Sequence, residues 1–248
     1  MFGINAFKRE RENTYQIEIE NVSRVRNTML PEGETLLIGQ DLYSLTRARQ
    51  ITDLHLLAHV SEQECVNRTR HRVRFRLKKK KIGIKYSQKL FVNGRRFQGD
   101  VDCGTNFQKA FELLEKIPPI TAVLLKHSLY CDYANPVTGI KFRIAIESCN
   151  ALNPMRYRDK SDSFFFLEVE DKEGFDLENF RKSLLFVEKL LPIVKSNTKC
   201  ETGNKMDICH KHFPGQKLVF KECEILKALV HDVFNGPATQ VFPVVDIN

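Results

Sequence analysis

Two pairs of glutamates, each spaced by a single residue, stand out for the chemistry they could do: Glu18 with Glu20, and Glu168 with Glu170. Spacing by one places both carboxylates of a pair on the same face of a strand. Paired carboxylates supply the hard oxygen ligands that magnesium and manganese prefer. The residues between the pairs are of the opposite sign. Arg72, Arg74 and Arg76 alternate with Val73, Phe75 and Leu77; Lys85 and Lys89 follow, then Lys126, then Lys141 and Arg143, with Glu147 just beyond. Guanidinium forks and ammonium groups donate to phosphate oxygens. A site holding both sets suits a metal–polyphosphate complex. The cations neutralise charge on the transferred phosphoryl group, and a carboxylate orients or deprotonates the attacking water.

The elements that must position these groups are strands with one apolar and one charged face. Ile17 and Ile19 oppose Glu18 and Glu20 within a strand read over 14–22. Val73, Phe75 and Leu77 oppose the arginines within 70–79. Ile84 and Tyr86 oppose Lys85 and Lys89 within 82–92. Phe142, Ile144 and Ile146 oppose Lys141, Arg143 and Glu147, and Phe165, Leu167 and Val169 oppose Glu168 and Glu170. Residues 122–133 and 140–149 read as a hairpin around a loop, Ala134 to Gly139, that contains Asn, Pro and Gly. Helical spacing is read in 36–60 from Leu42, Leu45, Ala48 and Ile51, in 105–117 before Pro118 and Pro119, in 176–191, and in 218–234. Residues 199–215 read as irregular. Two arrangements fit such strands: a flat antiparallel sheet with one face in water, or a sheet closed into a barrel with its charged faces inward. The helices available to cover an apolar exterior favour the second. The expected fold is therefore α+β, an antiparallel β-barrel forming a tunnel with a charged interior and helices outside it. One domain is expected over 1–248, with its core over about 14–191 and a helical extension over about 192–248.

The Ile-Glu-Ile-Glu run at 17–20 and the Phe-Leu-Glu-Val-Glu run at 166–170, with Arg-x-Arg and Lys strands between them, resemble the triphosphate tunnel metalloenzymes. That superfamily includes fungal, protozoan and viral RNA 5′-triphosphatases and the adenylate cyclase/thiamine triphosphatase group. The resemblance spans roughly 15–191. It implies Glu18, Glu20, Glu168 and Glu170 as ligands of Mg2+ or Mn2+. It implies Arg72, Arg74, Arg76, Lys85, Lys89, Lys126 and Lys141 as phosphate ligands, and Glu147 and Arg143 as the catalytic pair. The implied activity is metal-dependent hydrolysis of the γ-phosphate of triphosphate-ended RNA, the first step of mRNA capping, or of nucleoside triphosphates. A capping guanylyltransferase or a polymerase subunit would be its protein partner. The alternative is a non-catalytic RNA-binding protein or an inactive subunit of a viral transcription and capping complex.

Composition is compatible with both. The chain of 248 residues is 42% hydrophobic, enough for a core, and carries a net charge of +8 that favours anionic partners. The positive charge is concentrated: residues 68–89 hold eleven Lys or Arg and no acidic residue. No apolar run is long enough to span a membrane, and no membrane partner is expected. Seven irregularly spaced cysteines suit a reducing compartment, the cytoplasm or nucleus, including those of a host cell if the protein is viral. Lys78 to Lys81 reads equally as a nuclear-import or RNA-contacting patch or as a solvated strand end. Cys200, Cys209, His210 and His212 match no standard zinc spacing. No cysteine lies in a phosphate loop ending in arginine, which excludes cysteine-based phosphatase chemistry.

Overall fold

A computed structural model describes residues 7–9, 12–29, 35–38, 40–59, 68–78, 80–92, 95–153, 155–156, 158–171, 199–200, 204–215 and 217–236. The strands are β1 (Lys8–Arg9), β2 (Glu12–Ile17), β3 (Thr35–Ile38), β4 (Asp41–His59), β5 (Arg68–Lys78), β6 (Lys81–Val92), β7 (Arg95–Gly104), β8 (Ala122–Ala134), β9 (Lys141–Leu152), β10 (Phe164–Asp171) and β11 (Lys199–Cys200). The helices are α1 (Val22–Met29), α2 (Phe107–Leu114), α3 (Asn204–His212) and α4 (Cys223–Asn235). The strands join one antiparallel sheet in the order β1-β7-β6-β5-β4-β8-β9-β10-β2-β11, with β3 beside β4. The fold is α+β, and the sheet curls without closing. Among the described residues β1 pairs only with β7, and β11 only with β2, so the expected barrel is an open trough.

Strict alternation gives the sheet its two faces. On the apolar face, Leu54, Leu56, Val73, Phe75, Ile84 and Tyr86 are buried under α2 and α4, which contribute Phe111, Leu114, Leu226 and Val230. At about 1.5–3 kcal/mol per large apolar side chain buried, this layer is the main stabilising term. Farther along, Tyr43, Leu129, Tyr133, Phe142, Ile144 and Leu167 pack with Val25 and Met29 of α1. The Asn106 side chain caps α2 by accepting from the Lys109 backbone N–H at 3.0 Å. The helix at 105–117, the hairpin of β8 and β9, and the last helix are where the sequence placed them.

Three local expectations are corrected. The helix read over 36–60 is β3 and β4. Strand β4 is buried on both faces near its C-terminal half: Leu54 and Leu56 lie in the apolar core, and Asp53 and His55 on the charged face. Burial on both sides hides the alternation that would have marked a strand. The strand read over 14–22 stops at Ile17 and turns through a 3-10 segment, Ile19–Asn21, into α1. The irregular stretch 199–215 contains α3. The helix expected over 176–191 lies outside the described residues. Helix α3 also differs from the other three in position. Its Met206 and Cys209 pack with Ala122, Leu124, Cys149, Ala151 and Phe166. These are side chains of the charged face, at one end of the trough, because Leu124 and Ala151 share a face with Lys126 and Cys149.

Candidate functional site

Pairing register lines up the polar residues of adjacent strands on the concave face. Arg72 of β5 lies between Leu57 of β4 and Ser87 of β6; Arg74 between His55 and Lys85; Arg76 between Asp53 and Gly83. Asp53 in turn faces Lys126 of β8, Arg49 faces Tyr130, and Arg47 faces Asp132. Across β8 and β9, Asp132 faces Arg143 and Ser128 faces Glu147. Across β9 and β10, Ala145 faces Glu168 and Arg143 faces Glu170.

Most of the acidic side chains described on this face are paired with cations. Arg76 grips Asp53 through two hydrogen bonds of 2.6 Å. Arg143 Nε donates to Asp132 Oδ1 at 2.7 Å, and Lys85 meets Asp100 Oδ2 at 2.5 Å. Glu147 is held by two lysines, Lys126 on Oε1 and Lys205 of α3 on Oε2. Lys205 also stands 3.7 Å from Glu168 Oε2. Tyr130 lies under three cations, with the charged centres of Arg49, Lys126 and Arg143 5.6, 5.9 and 5.2 Å from its ring centroid.

Arg74 carries a buried Nε without a hydrogen-bond partner, and so does Arg72, whose Nη2 reaches Ser87 Oγ at 3.3 Å. Burial first, then the neighbouring Arg72 and Arg76, push the Arg74 guanidinium down to about 10. Burial, opposed by Asp53 but reinforced by Lys126 and Arg72, pushes His55 down to about 3, so its ring is neutral. His55 Nε2 sits 3.8 Å from Asp53 Oδ2, too far for a hydrogen bond. Burial would raise the Glu147 carboxyl, but Lys126 and Lys205 outweigh it and hold it well below the usual range. Burial would lower Lys205, but Glu147 and Glu168 hold it well above the usual range.

The sequence-derived residues divide accordingly. Arg72, Arg74, Arg76, Lys85, Lys89, Lys126, Arg143, Glu147 and Glu168 share the concave face. Lys141 is on the same face but exposed at its rim, opposite Ala134. Glu170 belongs to β10 opposite Arg143, and its side chain lies outside the described residues. Glu18 and Glu20 do not join the site. Both are exposed, because the strand ends at Ile17 before reaching them. Thr14, not a glutamate of the first pair, lies opposite Glu168. Lys78, Lys80 and Lys81 are exposed at the β5–β6 turn. Sequence reasoning missed Arg49, Asp53, His55, Asp100, Tyr130, Asp132 and Lys205. Asp132 and Asp53 are partners of arginines already singled out, but only the register identifies them. No sequence signal ties Lys205 to Glu147.

The expected divalent cation finds no fitting donor set among the described residues. Glu147 and Glu168 are already matched by two ammonium groups, Asp53 and Asp132 are taken by Arg76 and Arg143, and Glu18 and Glu20 are exposed. No cluster of three His, Cys, Asp or Glu among the described residues is arranged to hold a metal. No described helix is long and apolar enough to cross a membrane.

No family model and no curated protein sequence matches the chain. Among solved structures, a protein from Pyrococcus horikoshii superposes with a TM-score of 0.49 at 13% identity, covering 82% of this chain and 99% of its own. A protein from Bacillus halodurans, provisionally named an adenylate cyclase, superposes with a TM-score of 0.48 at 12% identity, covering 81% of this chain and 98% of its own. At that level of likeness neither neighbour carries an argument about activity.

Proposed function

We propose that the concave face binds a triphosphate, either the 5′ end of RNA or a nucleoside triphosphate, and serves hydrolysis of its γ-phosphate, the first step of mRNA capping when RNA is the substrate. One observation carries the binding half. Arg72 and Arg74 stand two residues apart on one face of β5, with Lys85 opposite Arg74 on β6 and Lys89 farther along opposite Arg70, and the Nε groups of both arginines are buried without a hydrogen-bond partner. A buried guanidinium N–H is costly unless an acceptor satisfies it. Phosphate oxygens are acceptors of the right charge and geometry. On a bound triphosphate these arginines would draw off charge developing on the γ-phosphoryl group, and Arg143, steadied by Asp132, would extend the cationic row.

One observation favours a second reading, a non-catalytic binder of triphosphate-ended RNA. Glu147, expected as a catalytic carboxylate that orients water, is held ionised between two lysines and is a poor proton acceptor. The two readings separate in one experiment: phosphate release from γ-labelled RNA and from ATP, with magnesium or manganese and then with chelator, alongside binding of each. Turnover above buffer supports the hydrolase. Binding without turnover supports the second reading, and neither binding nor turnover removes both.

A further inference from the structure

The pairing of Glu147 and Glu168 with Lys205 has a consequence for the metal. Lys205 is the second residue of α3 and is followed by Met206, which anchors the helix in the apolar end of the trough beside Phe166. The lysine stem is thereby fixed over the Phe166 ring, with Nζ 5.1 Å from the centroid. Its ammonium contacts Glu147 Oε2 and stands 3.7 Å from Glu168 Oε2, while Lys126 takes the other Glu147 oxygen. Glu147 is fully buried and Glu168 is 5% exposed. A divalent cation entering between these carboxylates would meet two ammonium groups at contact distance, and could gain its ligands only by evicting Lys205.

We propose that Lys205, delivered by α3, is the resident counter-cation of the Glu147–Glu168 pair, excludes a divalent metal from it, and lets the concave face hold triphosphate without metal. The last clause rests on the triphosphate reading of the face; the first two do not.

Mn2+ is the probe, followed by the electron paramagnetic resonance of the free ion, with circular dichroism to check each variant's fold. Wild type and Lys205→Arg should bind no Mn2+ that depends on Glu168. Lys205→Met keeps the apolar stem but removes the charge, and should gain roughly tenfold or more in Mn2+ affinity. Adding Glu168→Gln should abolish that gain. A wild-type protein that binds one Mn2+ and loses it on Glu168→Gln overturns the proposal, as does a folded Lys205→Met that gains nothing. If Lys205→Met does not fold, the comparison of wild type with Glu168→Gln decides. Inorganic tripolyphosphate titrated in metal-depleted buffer should bind wild type equally with and without chelator; binding that vanishes on chelation overturns the last clause. Tripolyphosphate that binds under neither condition refutes the triphosphate reading, while the Mn2+ result still judges Lys205.

Discussion

Replacing Arg74 by methionine should make the protein more stable and a weaker anion binder. Arg74 has Arg72 and Arg76 two residues away on the same face of β5, and His55 and Lys85 in register on its flanks. Its guanidinium is pushed from its ordinary value down to about 10, by burial first and then by those two arginines, with Asp53 offsetting part. That displacement corresponds to on the order of 3 kcal/mol of cost for holding the charge. The unfolded chain escapes that cost at any pH below about 10, so the penalty is constant across the working range. Methionine keeps an unbranched apolar stem and drops the charge. Allowing for the lost packing of the guanidinium plane, the gain should be about 1–3 kcal/mol, or roughly 2–10 °C in Tm for a chain of this size. The same variant removes a charge-assisted contact to phosphate, so tripolyphosphate affinity should fall by roughly tenfold to a hundredfold. Thermal melts at pH 6 and pH 8 and calorimetric titration read the two effects. A less stable Arg74→Met with unchanged affinity would show that the guanidinium is a structural cation and would refute the reasoning.

Acid should destabilise the fold before its carboxylates titrate. His55 is pushed from 6.5 down to about 3, so between those values the unfolded chain binds the proton more readily. Stability should therefore drop by about 2 kcal/mol from pH 7 to pH 5 through this group. His71 and His127 are shifted the same way and add to it. In urea melts His55→Gln should flatten the fall; a wild-type stability constant over that range contradicts the burial argument. Glu147→Gln leaves Lys126 and Lys205 without a full counter-charge and should cost about 3–5 kcal/mol, seen as a lower urea midpoint at unchanged slope. Glu18→Gln combined with Glu20→Gln, both exposed, should change tripolyphosphate affinity less than about twofold; a loss as large as that of Arg74→Met would place the first pair back in the site.

The charged face was legible in sequence where charged and apolar residues alternate strictly along a strand. In β5, Arg72, Arg74 and Arg76 alternate with Val73 and Phe75, and the pattern alone assigns their faces. It failed in β4, where Asp53 and His55 are buried among cations while Leu54 and Leu56 are buried in the core, so polarity no longer tracks exposure. It also failed at the first glutamate pair. Glu18 and Glu20 continue the parity of β2, but parity says nothing about where pairing stops, and β10 pairs β2 only as far as Phe165 opposite Ile17. Lys205 was invisible for a different reason. It reaches Glu147 across 58 residues from a helix that caps the end of the trough, and neither period nor spacing encodes that contact.

Triphosphate recognition is tested most directly by one comparison: the affinity of wild type and of Arg72→Met/Arg74→Met for a short RNA ending in a 5′-triphosphate and for the same RNA ending in a 5′-monophosphate, at one fixed salt concentration. Both RNAs share the backbone contribution to binding, so the difference isolates the terminal phosphates. Wild type should prefer the triphosphate end by about tenfold or more, and the double variant should bind the two ends alike. Equal affinity of the wild type for both ends would contradict the assignment of the arginine–lysine face as a triphosphate site.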